Sequence, residues 1–287
     1  MEFLQNLKLN LLHAGYAELD NKWDYNNVIS TFVRLFLITK GSAEMEHSGS
    51  FFNLKPGNMY LIPSFTYNNY RCKNYHEQYY TGFFEEVSAG VSIFNLHEFV
   101  YEVEANKLEE DYFKRLLEMH PNKMVENSDP KLFINGGLIK MGDDLENNLK
   151  LQLETKSILE ILLSKFITNG FKNEVKTNTN TGDLNKVLVY ISKNLSEEIS
   201  VEQLAIFCNL NVDYFSRSFK AIYGVRPNRF IQLKRIERAQ FLLLSSQKPL
   251  KQIAEEVGLY DGAYLSKTFK KLTGVTPATF RKQKLGN

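Results

Sequence analysis

The chain has 287 residues, 43% of them hydrophobic and 24% charged, with a formal net charge of +2. That length suits about two domains, each with a core of its own, and excludes a disulfide-stapled mini-protein. No run approaches the ~18 apolar residues of a membrane helix. Met1-Glu2-Phe3 also lacks the basic start and apolar run of a secretory leader, so a cytoplasmic chain is expected. The two cysteines, Cys72 and Cys208, fall in different predicted domains and are expected to stay reduced.

From Val28 to about Phe84 the pattern is one of short strands and turns. Phe32 to Thr39 is rich in aliphatic, aromatic and β-branched residues and stops at Lys40-Gly41. Ala43 to His47 alternates and stops at Ser48-Gly49. Phe51 to Leu54 leads through the turn Lys55-Pro56-Gly57-Asn58 into Met59 to Ile62, which ends at Pro63. Glu77 to Phe84 is a further aromatic strand. Short strands with frequent turn signals predict a sandwich or small barrel. Trp23, Arg34, Tyr60, Tyr67, Tyr70, Tyr79 and Tyr80 supply aromatic platforms and hydrogen-bond donors of the kind that line barrel mouths holding polar small molecules such as sugars. The same tyrosines could equally fill the barrel, and composition does not separate the two roles.

A helix is expected over 107–118. A second, long and amphipathic, is expected from Leu145 to Phe171, with Leu149, Leu153, Ile158, Leu159, Leu162, Leu163 and Phe166 as its apolar positions. Residues 172–182, rich in Asn and Thr and closed by Gly182, read as a linker.

The remainder repeats itself. Ala205, Asn209-Leu210, Tyr214-Phe215-Ser216-Arg217, Phe219-Lys220, Gly224-Val225, Pro227 and Phe230 recur as Ala254, Gly258-Leu259, Tyr264-Leu265-Ser266-Lys267, Phe269-Lys270, Gly274-Val275, Pro277 and Phe280. The offset is 49 for the first three residues and 50 thereafter, so the second copy carries one extra residue. Self-similarity this dense marks two copies of one supersecondary unit. Each reads as a helix-turn-helix. Ser200 with Gln203 forms a capping box, and Asn209 and Gly258 suit the left-handed turn. The second helices run over about 212–223 and 262–273, with apolar stripes Phe215, Phe219, Ile222 and Leu265, Phe269, Leu272. Their opposite faces carry Asp213, Ser216, Arg217 and Lys220 in the first copy. In the second they carry Gly262, Ala263, Ser266, Lys267, Lys270 and Lys271. Polar or small side chains on an exposed helix are what reading base edges requires. Arg229 to Leu244 is expected to form a helix that holds the two units apart, with Arg229, Lys234, Arg235 and Arg238 on its outside. Residues 183–287 hold 17 Lys and Arg against 9 Asp and Glu, a net of +8, while residues 1–182 hold 18 against 24, a net of −6. Such asymmetry points to a basic nucleic-acid module joined to an acidic partner domain.

Residues 184–283, including Gly274-Val275-Thr276-Pro277-Ala278-Thr279-Phe280-Arg281, resemble the DNA-binding domain of the AraC/XylS family of bacterial transcription regulators. Lys55 to Pro63 and Gln78 to Phe84 resemble the cupin-like sensing domain common in that family. The implied architecture is α+β and multidomain: a cupin-like β-barrel with a helical dimerisation segment over 1–171, a linker over 172–182, and two tandem helix-turn-helix units over 183–287. The resemblance places Tyr70, Tyr79 and Thr81 where an arabinose-sensing relative contacts its ligand. It implies a DNA-binding regulator, an activator touching RNA polymerase, that dimerises and answers to a small molecule. The helix after the barrel either mediates that dimerisation or packs on its own barrel. Asp213, Ser216 and Arg217, with Gly262, Ala263, Ser266 and Lys267, are the expected base contacts, and Lys220, Lys270 and Lys271 the expected phosphate contacts. With Gly262 and Ala263 so small, the second reader would lean more on phosphates and DNA shape.

One rival reading keeps the DNA-binding half and makes the barrel a dimerisation or protein-interaction scaffold without ligand. Another makes it a cupin-type enzyme. Metal-dependent cupins use a His-x-His pair, and His13, His47, His76, His97 and His120 contain none. Neither a phosphate loop nor a nucleophile elbow appears. No metal, no cofactor and no catalytic residue is therefore expected.

Overall fold

The computed structural model describes residues 6–47, 50–88, 90–125, 148–171 and 181–285. Its strands are β1 (Lys8–Asp20), β2 (Asp24–Val28), β3 (Val33–Gly41), β4 (Ala43–His47), β5 (Ser50–Leu54), β6 (Asn58–Ile62), β7 (Asn68–Arg71), β8 (Tyr75–Glu86), β9 (His97–Phe99), β10 (Glu102–Glu104) and β11 (Ile167–Phe171). Its helices are α1 (Ile93–Leu96), α2 (Lys107–Met119), α3 (Leu149–Ser164), α4 (Thr181–Lys193), α5 (Val201–Phe207), α6 (Val212–Tyr223), α7 (Pro227–Ser245), α8 (Leu250–Glu256), α9 (Gly262–Thr273) and α10 (Pro277–Leu285). None of the described helices is long and apolar enough to cross a membrane. The chain divides into two compact units. One comprises Leu9–Phe84, Phe99–Ile167 and Ala278–Asn287, and the other Met1–Lys8, Glu85–Glu98 and Thr168–Pro277.

The first unit is β-rich. A five-stranded sheet runs β1-β8-β3-β6-β10 and a four-stranded sheet runs β2-β7-β4-β5. Among the described residues the expected barrel is laid out as two sheets, with no strand pair that closes them into one. β3 lies centrally, antiparallel to β6 and β8, with Arg34 opposite Ile62 and Gly82. Its first six residues are all buried, because both faces of a central strand are covered. Period-2 alternation sends Phe36 and Ile38 into a core shared with Trp23, Met45, Tyr70 and Tyr80. On the other face of the large sheet, Tyr79 stacks on Phe113 of α2, ring centroids 5.9 Å apart. α2 begins with a full capping box from Asn106 and Glu109.

The expected long helix is shorter than its apolar pattern. Residues 145–147 lie outside the described residues, and α3 stops at Ser164. The chain then turns to β11, whose β-branched Ile167 and Thr168 suit pairing with β9. α3 buries Leu151, Ile158, Leu159, Leu162 and Leu163 and leaves Leu149, Leu153 and Ile161 exposed. Of the expected linker, 172–180 lies outside the described residues, and 181–182 already open α4.

The second unit holds the duplicated helices. Ser200 and Gln203 cap α5 reciprocally, as the sequence predicts. The turns match bond for bond: the Leu210 N–H donates to the Ala205 carbonyl and the Leu259 N–H to the Ala254 carbonyl, both at 2.9 Å. Asn209 and Gly258 are left-handed, with φ of 55° and 69°. Asn211 caps α6 through the Tyr214 N–H and Asp261 caps α9 through the Tyr264 N–H. Gly224 and Gly274 end the two helices left-handed. The extra residue of the second copy falls between Leu259 and Asp261: it is Tyr260, 92% exposed.

Candidate DNA-reading faces and ligand cavity

On α6, Phe215 and Phe219 are fully buried, which turns Asp213, Arg217 and Lys220 to solvent and leaves Ser216 half-buried. α9 repeats this. Leu265, Phe269 and Leu272 are buried, Ala263, Lys267, Lys270 and Lys271 are exposed, and Gly262 and Ser266 are intermediate. The Ser266 hydroxyl donates to the Gly262 carbonyl at 2.8 Å, so its proton is committed to its own helix and the oxygen's lone pairs remain for a partner. Sequence reasoning missed three tyrosines at these faces. Tyr214 and Tyr264 occupy the first turns of the two helices at 41% and 46% exposure, and Tyr260 stands ahead of the second. The offset change between the copies was the available signal for Tyr260.

The spacer helix α7 does not present the basic outside expected of it. Eleven of its residues are buried, Lys234 among them, because other helices of the unit pack around it. Lys234 pairs with Glu237, and Arg238 with Glu86. Arg235 donates to the Glu197 carbonyl at 2.7 Å. Only Arg229 of that set is exposed. Glu86 also accepts from the Gly90 N–H at 3.0 Å. Its neighbour Glu85 is buried, and burial pushes its carboxyl up to about 7; Glu237 adds to this, while bonds from Ser92 and the Ile93 N–H and the charge of Lys234 oppose it.

In the β-rich unit a cavity of about 50 Å³ opens between the sheets. Of the residues expected to bind ligand, Trp23, Arg34, Tyr70, Tyr80 and Thr81 line it. Tyr60, Tyr67 and Tyr79 do not. The Tyr60 hydroxyl donates at 2.7 Å to the Asn53 carbonyl. Tyr79 faces the opposite side of the sheet, as its alternation with Tyr80 requires. The Tyr67 carbonyl accepts from His47 at 2.8 Å, away from the cavity lining. The walls that sequence reasoning missed are His13, Ala17, Phe32, Phe36, Gln78 and Val125. Gln78 follows from Tyr80 by period 2; Val125 carries no local signal.

Arg34 is the cavity's one charged wall, 4% exposed. It donates to the Tyr70 hydroxyl at 2.6 Å, to Asn68 Oδ1 at 2.9 Å and to the Thr66 carbonyl at 3.3 Å. All three acceptors are neutral. Burial depresses its pKa from the ordinary guanidinium value, and burial raises that of Tyr70 to about 12. His13, fully buried, is pushed down to about 3, mainly by desolvation. Among the described residues no group of three or more His, Cys, Asp or Glu converges as a metal site would require.

A helix-turn-helix domain family model matches residues 204–283. The chain is 38% identical over 92 residues to the bifunctional transcriptional activator/DNA repair enzyme AdaA of Bacillus subtilis, covering 32% of this chain and 44% of that protein. It is 36% identical over 102 residues to the MmsAB operon regulatory protein of Pseudomonas aeruginosa, covering 35% and 33% respectively. A solved transcriptional regulator with an AraC-type DNA-binding domain, from Chromobacterium violaceum, is 25% identical; the match covers 36% of this chain and 93% of that one, at a TM-score of 0.35. The chain thus spans less than half the length of these two curated relatives. Residues 204–283 thus form a helix-turn-helix domain of the AraC type, like those of these transcription regulators.

Proposed function

We propose that this chain is a sequence-specific DNA-binding transcription regulator, an activator, acting in the cytoplasm and controlled by a small molecule in the Arg34 cavity. The observation that carries the DNA-binding reading is the duplicate architecture: two turns and two caps equal bond for bond, each followed by a helix whose polar face is solvent-exposed. Arg217 suits guanine O6 and N7 because a guanidinium can donate to both. Asp213, Ser216, Gly262, Ala263, Ser266 and Lys267 complete the base-facing set, with Lys220, Lys270 and Lys271 on phosphates. Tyr260 and the two first-turn tyrosines join them at the backbone. A homodimer is part of the reading, supported by Leu149, Leu153 and Ile161, which stand exposed at spacings of four and eight on α3. Contact with RNA polymerase would supply the activation.

Selection of bound DNA from a random pool by the full chain tests the reading. Two short half-elements about one helical turn apart, some 10 base pairs, are expected; no enriched motif with or without metabolites would reject it. The scaffold reading is favoured by one observation, the cavity's small volume of about 50 Å³. If no small molecule changes DNA affinity, that reading replaces the sensor.

A further inference from the structure

Arg34 sits at an electrostatic deficit that none of the described residues corrects with an opposite charge. Its guanidinium has three neutral acceptors, and no carboxylate among the described residues forms an ion pair with it. Its Nε–H is buried without any acceptor. A buried cation is ordinarily paired, because removing it from water is otherwise uncompensated. The remaining polar walls offer few open groups: the Thr81 hydroxyl is used, the phenol oxygens of Tyr70 and Tyr80 already accept, and Gln78 Oε1 is the one open carbonyl. Tyr70 accepts from Arg34 and from the Asn68 amide at 2.9 Å. Thr81 donates to the His13 carbonyl at 3.0 Å, and Tyr80 accepts from the Val125 N–H at 3.1 Å. A sugar would need several open partners around its rim. Here one charged donor faces walls of Trp23, Phe32, Phe36 and Val125.

We infer that the cavity binds a small organic carboxylate, one oxygen taking the Arg34 Nε–H and a short apolar body lying against the aromatic walls. The inference rests on the reading that this cavity is the effector site, and it names the effector's class. A carboxylate fits better than inorganic phosphate, whose oxygens on every side would need donors that these apolar walls lack. Size narrows it further. About 50 Å³ holds roughly three to five water-sized groups. That limits the ligand to a short chain and its affinity to micromolar at best.

The test is thermal unfolding of the full chain, at constant ionic strength, with propanoate and butanoate against propanamide and butanamide, and with a monosaccharide. The acids are expected to raise the melting temperature saturably. The amides, equal in shape but uncharged, are expected to bind about tenfold or more weakly, since a charge-assisted bond is lost. Arg34→Gln is expected to abolish the difference between acid and amide. Because Arg34 also holds Tyr70 and Asn68, that variant can fail to fold, and the contrast in the unaltered protein then decides alone. Equal shifts from acid and amide overturn the charge assignment. A shift from the monosaccharide with silent acids overturns the carboxylate while leaving the effector site standing. Silence from every probe overturns the proposal, and the effector reading is then judged separately by whether a metabolite extract changes DNA affinity.

Discussion

Replacing Gly258 by alanine separates two demands that a left-handed turn can make. The first is conformational: at φ 69° an L side chain costs roughly 1–2 kcal/mol. The second is steric. A Cβ at 258 would lie 2.1 Å from the Leu195 carbonyl oxygen and 3.0 Å from the Arg235 guanidinium. Either the 195 backbone or the turn must move, and Arg235 then loses its 2.7 Å bond to the Glu197 carbonyl. A hydrogen bond to a charged group is worth about 1.5–3 kcal/mol. Together the substitution should cost about 2.5–5 kcal/mol, which for a unit of this size lowers the melting temperature by roughly 10–25 °C. Asn209→Ala makes the matched control, because it changes the equivalent turn of the first copy, φ 55°, and meets only the conformational demand. It should cost about 1 kcal/mol. Gly258→Asn, which copies the first turn into the second, should fare as badly as alanine. Urea unfolding of the full chain and its variants reads all three. If Gly258→Ala costs no more than Asn209→Ala, the close approach of the second turn to Leu195 is wrong.

Arg217→Ala should cost about 1–3 kcal/mol on the selected site, relax preference at one base position and change random-DNA affinity little; competition binding checks it, and equal losses on both DNAs would reject base contact. Lys270→Ala should weaken all sequences alike and flatten the slope of log affinity against log salt by about 1, so an unchanged slope removes it from the phosphate contacts. Tyr260→Ala should lower DNA affinity with unfolding unchanged, since a side chain 92% exposed contributes little to the fold; unaltered affinity assigns it no contact. pH should act on the two units with opposite sign. His13, His76 and His120, held by burial at about 3, 4 and 4 against an ordinary 6.5, contribute stability above pH 6.5 that is lost as pH falls toward those values. Glu85, raised from 4.5 to about 7, contributes stability below pH 4.5 that is lost as pH rises through 7. Glu85→Gln should therefore gain on the unaltered protein in thermal unfolding at pH 8 and show no such gain at pH 4.5; a gain that does not vary with pH contradicts the assignment.

Where the sequence was readable, the determinants were local. α6 and α9 fall at the expected 212–223 and 262–273 because Asn211, Asp261, Gly224 and Gly274 start and stop them within a few residues. β4 matches its alternating run for the same reason, set off by the left-handed Gly41 before it. β1 was not anticipated. Gly15 interrupts its pattern like a breaker, yet it stands there because the Tyr80 phenol comes so close that a Cβ would lie 2.1 Å from its hydroxyl oxygen. Packing between strands 65 residues apart leaves no trace in a local window. The cavity was half legible for a related reason. Tyr79 and Tyr80 were grouped by composition, with Thr81 added by the resemblance, whereas the pleat sends Tyr79 to α2. The pairing of Lys234 with Glu237 and of Arg238 with Glu86 was hidden because helical periodicity does not reveal a helix surrounded on several sides.

The construction of α7 constrains how the protein's targets can change over time. Its 19 residues span about 28 Å. Its only proline sits at its first position, no glycine interrupts it, and most of its circumference is packed. Inserting one base pair between two half-elements would shift one by about 3.4 Å and rotate it by about 34°. A continuous, packed helix has no joint to follow that screw motion. On the proposed DNA-reading role, new target sites should therefore arise by base substitution within a fixed frame, and a single insertion or deletion between the half-elements should weaken binding as thoroughly as the loss of a half-element.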